Sequence, residues 1–483
     1  MTEREAVIGL ECHVELSTAT KMFCGCRNGF GDPPNTNTCP VCLGHPGTLP
    51  VPNEAAIASI VKIGLALGSE IAPRSVFARK NYFYPDMPKN FQISQYDLPT
   101  CVGGHLDIEL ASGSRRIGIT RVHMEEDTGK TTHAGATGRI AEAEYALVDY
   151  NRAGVPLVEC VSEPDLRSAE EAGAYLRELR ATLESLEVSD VRMEEGSLRC
   201  DANVSLRDVG TEALGTKVEI KNMNSVRSLE RAIRYEIQRQ GAALDAGEAI
   251  VQETRHWNED TGVTTSMRSK EEAFDYRYFP EPDIPPLAPS SDWVGRVREG
   301  LPELPAARRA RYEDELGLKP DPARILAGSS GWAEFFEAVL ALGADPGAAA
   351  NWVTQDLAGA LNKDGSQLLG SRVEPRHIAD LVRLVDDRTI SPAAAKQVLE
   401  VVVASGGTVE AIVEDKGLQQ VSDTGELGRI VDDVLAGNSD AAEKFRAGNE
   451  GTLGFLVGQV MRASGGSADP KLAGELLRER LRS

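Results

Sequence analysis

Residues 198–207 read LRCDANVSLR, and this stretch alternates strictly between apolar and polar side chains. Its even-numbered positions are apolar, whereas its odd-numbered positions carry Arg, Asp, Asn, Ser and Arg. Because successive side chains of a strand point to opposite faces of a sheet, the pattern predicts a strand with one buried face. Residues 10–16, LECHVEL, repeat the alternation and place Glu11 and His13 together on the polar side. Antiparallel strands with one apolar face are therefore the expected core of this region.

The polar faces of these strands have two interpretations. A solvated outer face of an antiparallel sheet would explain them without any function. Alternatively, several polar faces line one concave site, since Glu and His at 11–15 and Arg, Asp and Asn at 199–203 are typical of metal and phosphate chemistry. The alternation leaves both interpretations open.

Helical patterns lie between the strands of residues 1–290, and a different composition follows. Five prolines occur in PEPDIPPLAP at 280–289, which neither a helix nor a central strand tolerates. Beyond it the chain is rich in Ala and Leu with helical spacing, and Ser-Gly-Gly at 405–407 marks a second break. We therefore predict an α+β fold with a sheet-rich domain at 1–290, a helical domain at 291–405 and a helical tail domain at 406–483.

Length and charge restrict the class of protein. The 483 residues suffice for several domains, and 41% are hydrophobic, so the chain can bury a core. Its net charge of -22 argues against a protein that coats nucleic acid non-specifically. No apolar run is long enough for a membrane-spanning helix, and the first residues, MTEREAVIGL, lack the features of a secretory signal. A cytoplasmic protein without membrane contact is the expectation.

Four of the eight cysteines fall within 19 residues, as Cys24 and Cys26 followed by Cys39 and Cys42. Two thiolate pairs that close a loop of this length can surround a tetrahedral Zn²⁺. Four cysteine ligands leave no open position, so such a site would be structural. Reduced thiols that bind no metal are the alternative, since the C-x-C pair is tighter than the usual C-x-x-C. The other cysteines are expected outside this site, with Cys200 buried.

An acidic segment, HMEED at 123–127, follows an alternating strand pattern, and Glu159 ends another apolar run. With Glu11 and His13, these residues would supply oxygen ligands and an imidazole to a divalent cation such as Mg²⁺. The sequence does not show that they meet. No P-loop or dinucleotide fingerprint is present, so any ATP site would be non-standard.

The end of the chain is polarised in charge. Residues 408–443 carry nine acids and two bases, whereas residues 444–483 carry seven bases and four acids. A basic end on an acidic chain is a candidate nucleic-acid contact, with Lys444, Arg446 and Arg462 as its candidate residues. A solvated face of an amphipathic helix would explain the same pattern.

Several long and unusual sequence blocks occur in order along almost the whole chain. They are VIGLECHVEL (7–16), FGDPPNTNTCPVCLGHPGTLPV (30–51), RKNYFYPDMPKNFQISQYD (79–97), RVHMEEDTGK (121–130), MEEGSLRCDANVSLR (193–207), DYRYFPEPD (275–283) and LGFLVGQVM (453–461). Together these blocks resemble one family, the B subunits of the tRNA-dependent amidotransferase.

The resemblance implies a carbon–nitrogen ligase that converts Glu-tRNA(Gln) or Asp-tRNA(Asn) to Gln-tRNA(Gln) or Asn-tRNA(Asn). In this family the B subunit uses ATP to phosphorylate the side-chain carboxylate of the tRNA-bound amino acid. An A subunit releases ammonia from glutamine, and a small C subunit completes a heterotrimer. The implied architecture is an N-terminal cradle domain with a four-cysteine insertion at 24–42, a helical middle domain and a YqeY-like tail that contacts tRNA.

The resemblance also implies roles for individual residues. Glu11, His13, Glu125 and Glu159 would bind Mg²⁺ and act in catalysis, with Glu126 beside them. Weaker correspondences make Lys80 and Lys89, near Tyr82 and Tyr84, contacts for phosphate or the tRNA 3′ end, and make Asp201 and Asn203 contacts for nucleotide or acceptor. Zn²⁺ at Cys24, Cys26, Cys39 and Cys42 would be structural.

Two functions of other classes would each require different sequence features. A zinc-ribbon module that binds nucleic acid without catalysis would need no group of acidic residues such as Glu11, Glu125 and Glu159, and would hardly carry a net charge of -22. A free-standing phosphotransferase for small molecules would need no basic tail.

Overall fold

The computed structural model describes residues 3–134, 143–269, 273–419, 424–464 and 468–482. These residues form two compact units, with the boundary between Ala307 and Arg308. Among the residues described, the first unit contains all the strands and four complete α-helices, and the second unit is helical. The α+β fold class is therefore confirmed. The three-domain division at 290 and 405 remains a prediction.

The strands of the first unit range from 2 to 14 residues. They are β1 (Arg4–Glu15), β2 (Glu70–Ile71), β3 (Ala78–Asn81), β4 (Phe91–Ser94), β5 (Cys101–Val102), β6 (His105–Leu110), β7 (Gly113–Glu126), β8 (Lys130–Ala134), β9 (Tyr145–Asp149), β10 (Pro156–Ser162), β11 (Leu198–Asp208), β12 (Val218–Lys221), β13 (Glu253–Asn258), β14 (Val263–Ser269) and β15 (Phe279–Pro280).

Ten of these strands form one sheet in the order β14-β13-β12-β11-β1-β10-β7-β5-β2, with β6 paired to β7. Neighbouring strands are antiparallel except for β12 and β13. A three-stranded sheet, β15-β3-β4, and a two-stranded sheet, β8-β9, complete the strand pairing of the described residues. The mainly antiparallel sheet agrees with the alternation in the sequence.

One face of the large sheet is the hydrophobic core. Leu10, Cys12 and Val14 of β1 are fully buried there, together with Cys160 and Cys200 on the two neighbouring strands. The helices of this unit are α1 (Glu54–Ala66), α2 (Ala169–Ser185), α3 (Val226–Asp245) and α4 (Ser291–Glu299). Buried side chains of α1, α2 and α3 belong to the same hydrophobic cluster.

Side-chain caps determine where the main helices begin. Asn53 accepts hydrogen bonds from the backbone N–H groups of Ala55 and Ala56, and Ser168 accepts one from the N–H of Glu171. Each bond satisfies a donor that the first helical turn leaves without a partner. Both helix starts follow from the capping residues that the sequence displays.

The helices that lie in the second unit or enter it are α5 (Pro305–Asp314), α6 (Pro320–Ala327), α7 (Ser330–Ala341), α8 (Pro346–Asn351), α9 (Ala358–Asp364), α10 (Pro375–Asp386), α11 (Pro392–Ser405), α12 (Val409–Asp415), α13 (Thr424–Gly437), α14 (Ser439–Arg446), α15 (Thr452–Ala463) and α16 (Pro470–Arg482). A π-helical segment, Trp352–Leu357, joins α8 to α9.

Two hydrophobic clusters stabilise this unit. The first includes buried residues from Tyr312 to Val413, and the second includes residues of α13 to α16, from Leu427 to Leu481. Among the described residues, no helix combines the length and apolar character needed to cross a membrane.

Candidate active site

The polar face of the large sheet brings the predicted acidic and imidazole residues into register. On neighbouring strands, His13 of β1 lies opposite Glu159 of β10, and Glu159 in turn lies opposite His123 of β7. Because residues two apart on a strand share a face, Glu125 lies on the same side as His123. The polar strand faces therefore adjoin one another, which favours the interpretation of a shared site.

Three of the predicted metal ligands converge. One ligand atom from each of His13, Glu125 and Glu159 lies within 4.8 Å of the others. His123 joins them, with its Nε2 atom 3.0 Å from Glu159 Oε2 and 3.4 Å from Glu125 Oε1. An imidazole and two carboxylates at this spacing suit a divalent cation that keeps water or phosphate oxygens as its other ligands. We call His13, Glu125 and Glu159 the acidic cluster.

Opposite charges determine the protonation states around the acidic cluster. Burial alone would lower the pKa of His123, yet attraction to Glu159 and Glu125 raises that pKa to about 9. Burial would raise the pKa of Glu159, but His123 and His13 lower it to about 2. Burial likewise opposes ionisation of Glu125, whose pKa is nevertheless lowered by its hydrogen bond to His123 and by Lys80. Both carboxylates are thus ionised at neutral pH and available to a cation.

Residues of the small β15-β3-β4 sheet support the acidic cluster from one side. Ser94 Oγ donates to Glu125 Oε1 at 3.0 Å, and Gln92 Nε2 donates to Glu125 Oε2 at 3.2 Å. Burial would lower the pKa of Lys80 on the neighbouring strand, but attraction to Glu125 raises it. Both oxygens of Glu125 are therefore oriented by neutral donors, with a positive charge nearby.

Glu126 points away from the acidic cluster, because it is adjacent to Glu125 on an alternating strand. Its carboxylate forms an ion pair with Lys89 and accepts a hydrogen bond of 2.8 Å from the backbone N–H of Ile93. Glu126 and Lys89 line one cavity with Cys24 and Cys42. The structure thus places Glu126 and Lys89 together, in surroundings different from those of Glu125.

Glu11, Asp201 and Asn203 form a second group on the same sheet face. Asn203 Nδ2 donates to Glu11 Oε1 at 2.9 Å, and Lys221 Nζ donates to Asp201 Oδ2 at 2.6 Å. Glu11 lies opposite Asp201 in the strand register, two residues before His13. The side-chain amide oxygen of Asn203 is buried and accepts no hydrogen bond among the described residues.

The four clustered cysteines are arranged as a metal site would require. One sulfur from each of Cys24, Cys26, Cys39 and Cys42 lies within 4.8 Å of the others. Tetrahedral Zn–S bonds of ~2.3 Å separate the sulfurs by about 3.8 Å, so these residues fit Zn²⁺ after small adjustments. Of the remaining cysteines, Cys200 is buried in the core as predicted.

A buried lysine accompanies the cysteines. Lys21 is 1% exposed, and its Nζ atom lies 3.8 Å from Cys42 Sγ and 3.1 Å from the carbonyl oxygen of Tyr150. The pKa of Cys42 is lowered to about 5, chiefly by a hydrogen bond from Cys24, with Lys21 contributing attraction. Cys42 is therefore prepared to act as a thiolate ligand.

The sequence indicates His123 only as part of the HMEED segment and does not single out Lys21, Gln92 or Ser94. The position of His123 could have been found, because alternation puts it on the face of Glu125. Gln92 and Ser94 lie in the short strand β4. The local sequence pattern does not show that this strand contacts β7. Lys21 has no periodic signal that distinguishes it from a surface lysine.

The basic residues predicted for the tail lie on two helices. Lys444 and Arg446 are in α14, and Arg462 is in α15. All three are exposed, and Arg446 Nε donates to the carbonyl oxygen of Leu481 at 3.3 Å. Their exposure is compatible with both a nucleic-acid contact and a solvated helix face.

Comparison with known proteins gives matches along nearly the full chain. Residues 6–295 match the GatB/GatE catalytic domain, and residues 334–481 match the GatB domain. The chain belongs to the GatB family. The B subunit of the aspartyl/glutamyl-tRNA(Asn/Gln) amidotransferase from Geotalea daltonii is 53% identical over 479 residues, covering 99% of both chains. Its counterpart of the same name from Moorella thermoacetica is 54% identical over 479 residues, covering 99% of this chain and 100% of the relative.

A third GatB relative shows the same similarity over the full length. The protein of the same name from Picosynechococcus is 52% identical over 488 residues, covering 100% of this chain and 98% of that one. Both the acidic cluster and the four cysteines lie within the matched catalytic domain. Similarity over the whole length does not favour a zinc-ribbon module without catalysis.

Proposed function

We propose that this chain, as the B subunit of a glutamine-dependent amidotransferase, activates the side-chain carboxylate of Glu-tRNA(Gln) or Asp-tRNA(Asn). The observation that carries the proposal is the convergence of His13, Glu125 and Glu159 on the sheet face of a GatB catalytic domain. Two ionised carboxylates and an imidazole are a donor set for Mg²⁺, and ATP is the phosphoryl donor that such a site would accommodate.

The proposed chemistry has two steps. An oxygen of the substrate carboxylate bonds to the γ-phosphorus of ATP while the bond from that phosphorus to the bridging oxygen breaks and ADP leaves. Ammonia then bonds to the acyl carbon, the bond to the phosphate oxygen breaks, and inorganic phosphate leaves as the amide forms. A free carboxylate would have to expel oxide, which is why activation must come first.

Different residues of this chain would have different roles in this reaction. His13, Glu125 and Glu159 would hold Mg²⁺, which would offset the charge of the ATP phosphates. Ser94 and Gln92 keep both oxygens of Glu125 oriented by donating to them. Lys80 adds positive charge beside the same carboxylates. Asp201 and Asn203, the predicted contacts for the nucleotide or the acceptor, lie next along the sheet face. Glu11, predicted as a further Mg²⁺ ligand, lies beside them and accepts the hydrogen bond from Asn203.

Other parts of the proposal concern assembly and the remaining cofactor. The chain would act in the cytoplasm with an A subunit that releases ammonia and a small C subunit. Zn²⁺ at the four cysteines would stabilise the loop that contains them. Lys89 with Glu126 would lie apart from the phosphoryl-transfer site, and the three basic residues on α14 and α15 would contact tRNA.

Reconstitution tests the proposal directly. The purified chain is mixed with its A and C subunits, ATP, glutamine and Glu-tRNA(Gln), and in parallel with Asp-tRNA(Asn), and the amino acid on the tRNA is identified. We expect Gln-tRNA or Asn-tRNA, with one ADP formed for each amide. Ammonium chloride should replace glutamine, whereas omission of ATP should abolish the product. Amide formation without ATP, or none with any substrate, would overturn the proposal.

A further inference from the structure

Aromatic rings are concentrated beside the acidic cluster. Tyr96 and Tyr278 stack with their ring centroids 4.4 Å apart and their planes 10° from parallel. Tyr276 meets Tyr278 edge-on at 6.1 Å. Although Tyr278 covers one face of the Tyr96 ring, Tyr96 is 48% exposed. A large aromatic side chain that is stacked and still half exposed is a platform on which another flat group can stack.

The strands of the small sheet connect this ring pair to the acidic cluster. Ser94 of β4 donates to Glu125, and Tyr96 follows only two residues later. On β3, the Nζ atom of Lys80 lies 4.8 Å from the centroid of the Tyr276 ring. The pKa of Tyr278 is raised to about 12, mainly by burial, while Lys80 opposes the rise and Glu125 adds to it. The rings and the carboxylates thus belong to one neighbourhood.

The backbone beneath the rings is held in place. Asn81 Nδ2 donates to the carbonyl oxygens of Tyr276 and Arg277 at 2.8 and 3.0 Å. Arg277, between the two tyrosines, has a φ of 47°, a conformation that costs free energy for a residue with a side chain. This geometry holds Tyr276 and Tyr278 in a set orientation, so the platform exists before a ligand arrives.

We propose that the Tyr96–Tyr278 pair binds an adenine ring by stacking, and that Lys80 then contacts the phosphate attached to that adenosine. This inference rests on the proposed function, because that reaction supplies two adenosines: the nucleotide of ATP and the 3′-terminal nucleotide of the tRNA. Either one, anchored here, would direct its reacting end toward Glu125. Stacking suits a purine because its broad π-face matches the exposed ring of Tyr96.

Binding measurements on the assembled full-length complex test the inference. The two probes are ATP containing 2-aminopurine in place of adenine, and Glu-tRNA with 2-aminopurine as its terminal base, because stacking quenches the fluorescence of this base. In the Tyr96→Ala variant we expect one probe to lose its quenching and to bind about 5- to 150-fold more weakly, in line with the effect of losing one aromatic–base stack. The affected probe identifies which adenosine occupies the platform.

Three variants keep the result interpretable. Tyr96→Phe retains the ring and should bind and quench like the unaltered chain, whereas Tyr278→Ala should weaken the same probe as Tyr96→Ala. Tyr145→Ala, a change of a tyrosine 59% exposed on β9, should affect neither probe. Unchanged quenching and affinity for both probes in a folded Tyr96→Ala complex would overturn the inference, as would equal losses in Tyr96→Phe. Absence of amide formation by the unaltered complex would instead count against the proposed function.

Discussion

At the scale of single residues, Glu125 carries the sharpest prediction. It is 4% exposed, accepts hydrogen bonds from Ser94 and Gln92, and contacts His123. Glu125→Gln keeps the shape of the side chain but removes its charge. We expect phosphorylation of Glu-tRNA to fall by a factor on the order of 100 or more, because charge stabilisation by a metal in phosphoryl transfer is worth several kcal/mol.

The assay for Glu125→Gln is the rate of ADP and acyl-phosphate formation by the assembled complex. Glutamine hydrolysis by the A subunit should persist when it is measured without coupling. Glu170→Gln is the matched control, since the Glu170 side chain is 62% exposed and its ion pair with Arg234 lies at the surface of α2. Near-normal acyl-phosphate formation by Glu125→Gln would remove Glu125 from the site.

A second residue-scale prediction concerns Lys21, whose ammonium group lies beside Cys42. A Zn²⁺ ion with four thiolates carries net negative charge, which a buried lysine offsets. Lys21→Met should therefore weaken zinc binding by about 10-fold, the lower end of the usual effect of residues next to metal ligands. Competition with a chromogenic chelator measures this affinity. The control is Lys130→Met, at an exposed position on β8; equal zinc affinity in both variants would contradict the role of Lys21.

At the scale of elements, we expect the segment that contains the four cysteines, residues 24–52 (the cysteine loop), to depend on a bound metal. Residues 28–52 are all described, and they contain turns and bends without a helix or strand. Purified protein should contain about one zinc per chain, and its removal should expose this loop to proteolysis while the large sheet stays folded. Mass spectrometry of the first cleavage products locates the cut. Identical cleavage with and without zinc would contradict the prediction.

At the scale of the whole molecule, a chain of net charge -22 must bind a polyanion through a local surface. Reversing the charges of Lys444, Arg446 and Arg462 should weaken tRNA binding and flatten its dependence on salt, because fewer counterions are released. Filter binding at several salt concentrations measures both effects. ATP hydrolysis uncoupled from tRNA should change little.

The matched control for the tail reverses three other exposed bases, Lys130, Arg298 and Arg376, and so produces the same change in net charge. If both triple variants bind tRNA equally, net charge rather than the tail would explain any loss. If the tail variant binds like the unaltered chain, α14 and α15 simply present a solvated face.

Local sequence patterns were enough to predict several strands of this protein and one cluster of side chains. Period-two alternation at 198–207 and 10–16 predicted strands and correctly assigned their buried faces, because alternation is a property of a single strand. The helix caps Asn53 and Ser168 are equally local, since each side chain bonds to backbone N–H groups two or three residues further along the chain. The spacing of the four cysteines was enough to predict their convergence.

Which polar residues meet depends instead on tertiary structure. Strand order and register follow from how the whole sheet buries its apolar face, and no local pattern encodes that. The order β1-β10-β7 places His123 opposite Glu159 and brings Glu125 within reach of His13. Alternation along β7 by itself puts Glu126 on the opposite face from Glu125, but only the tertiary structure supplies its partner there, Lys89. Contacts between segments distant in sequence, not composition, therefore gave the two carboxylates their different partners.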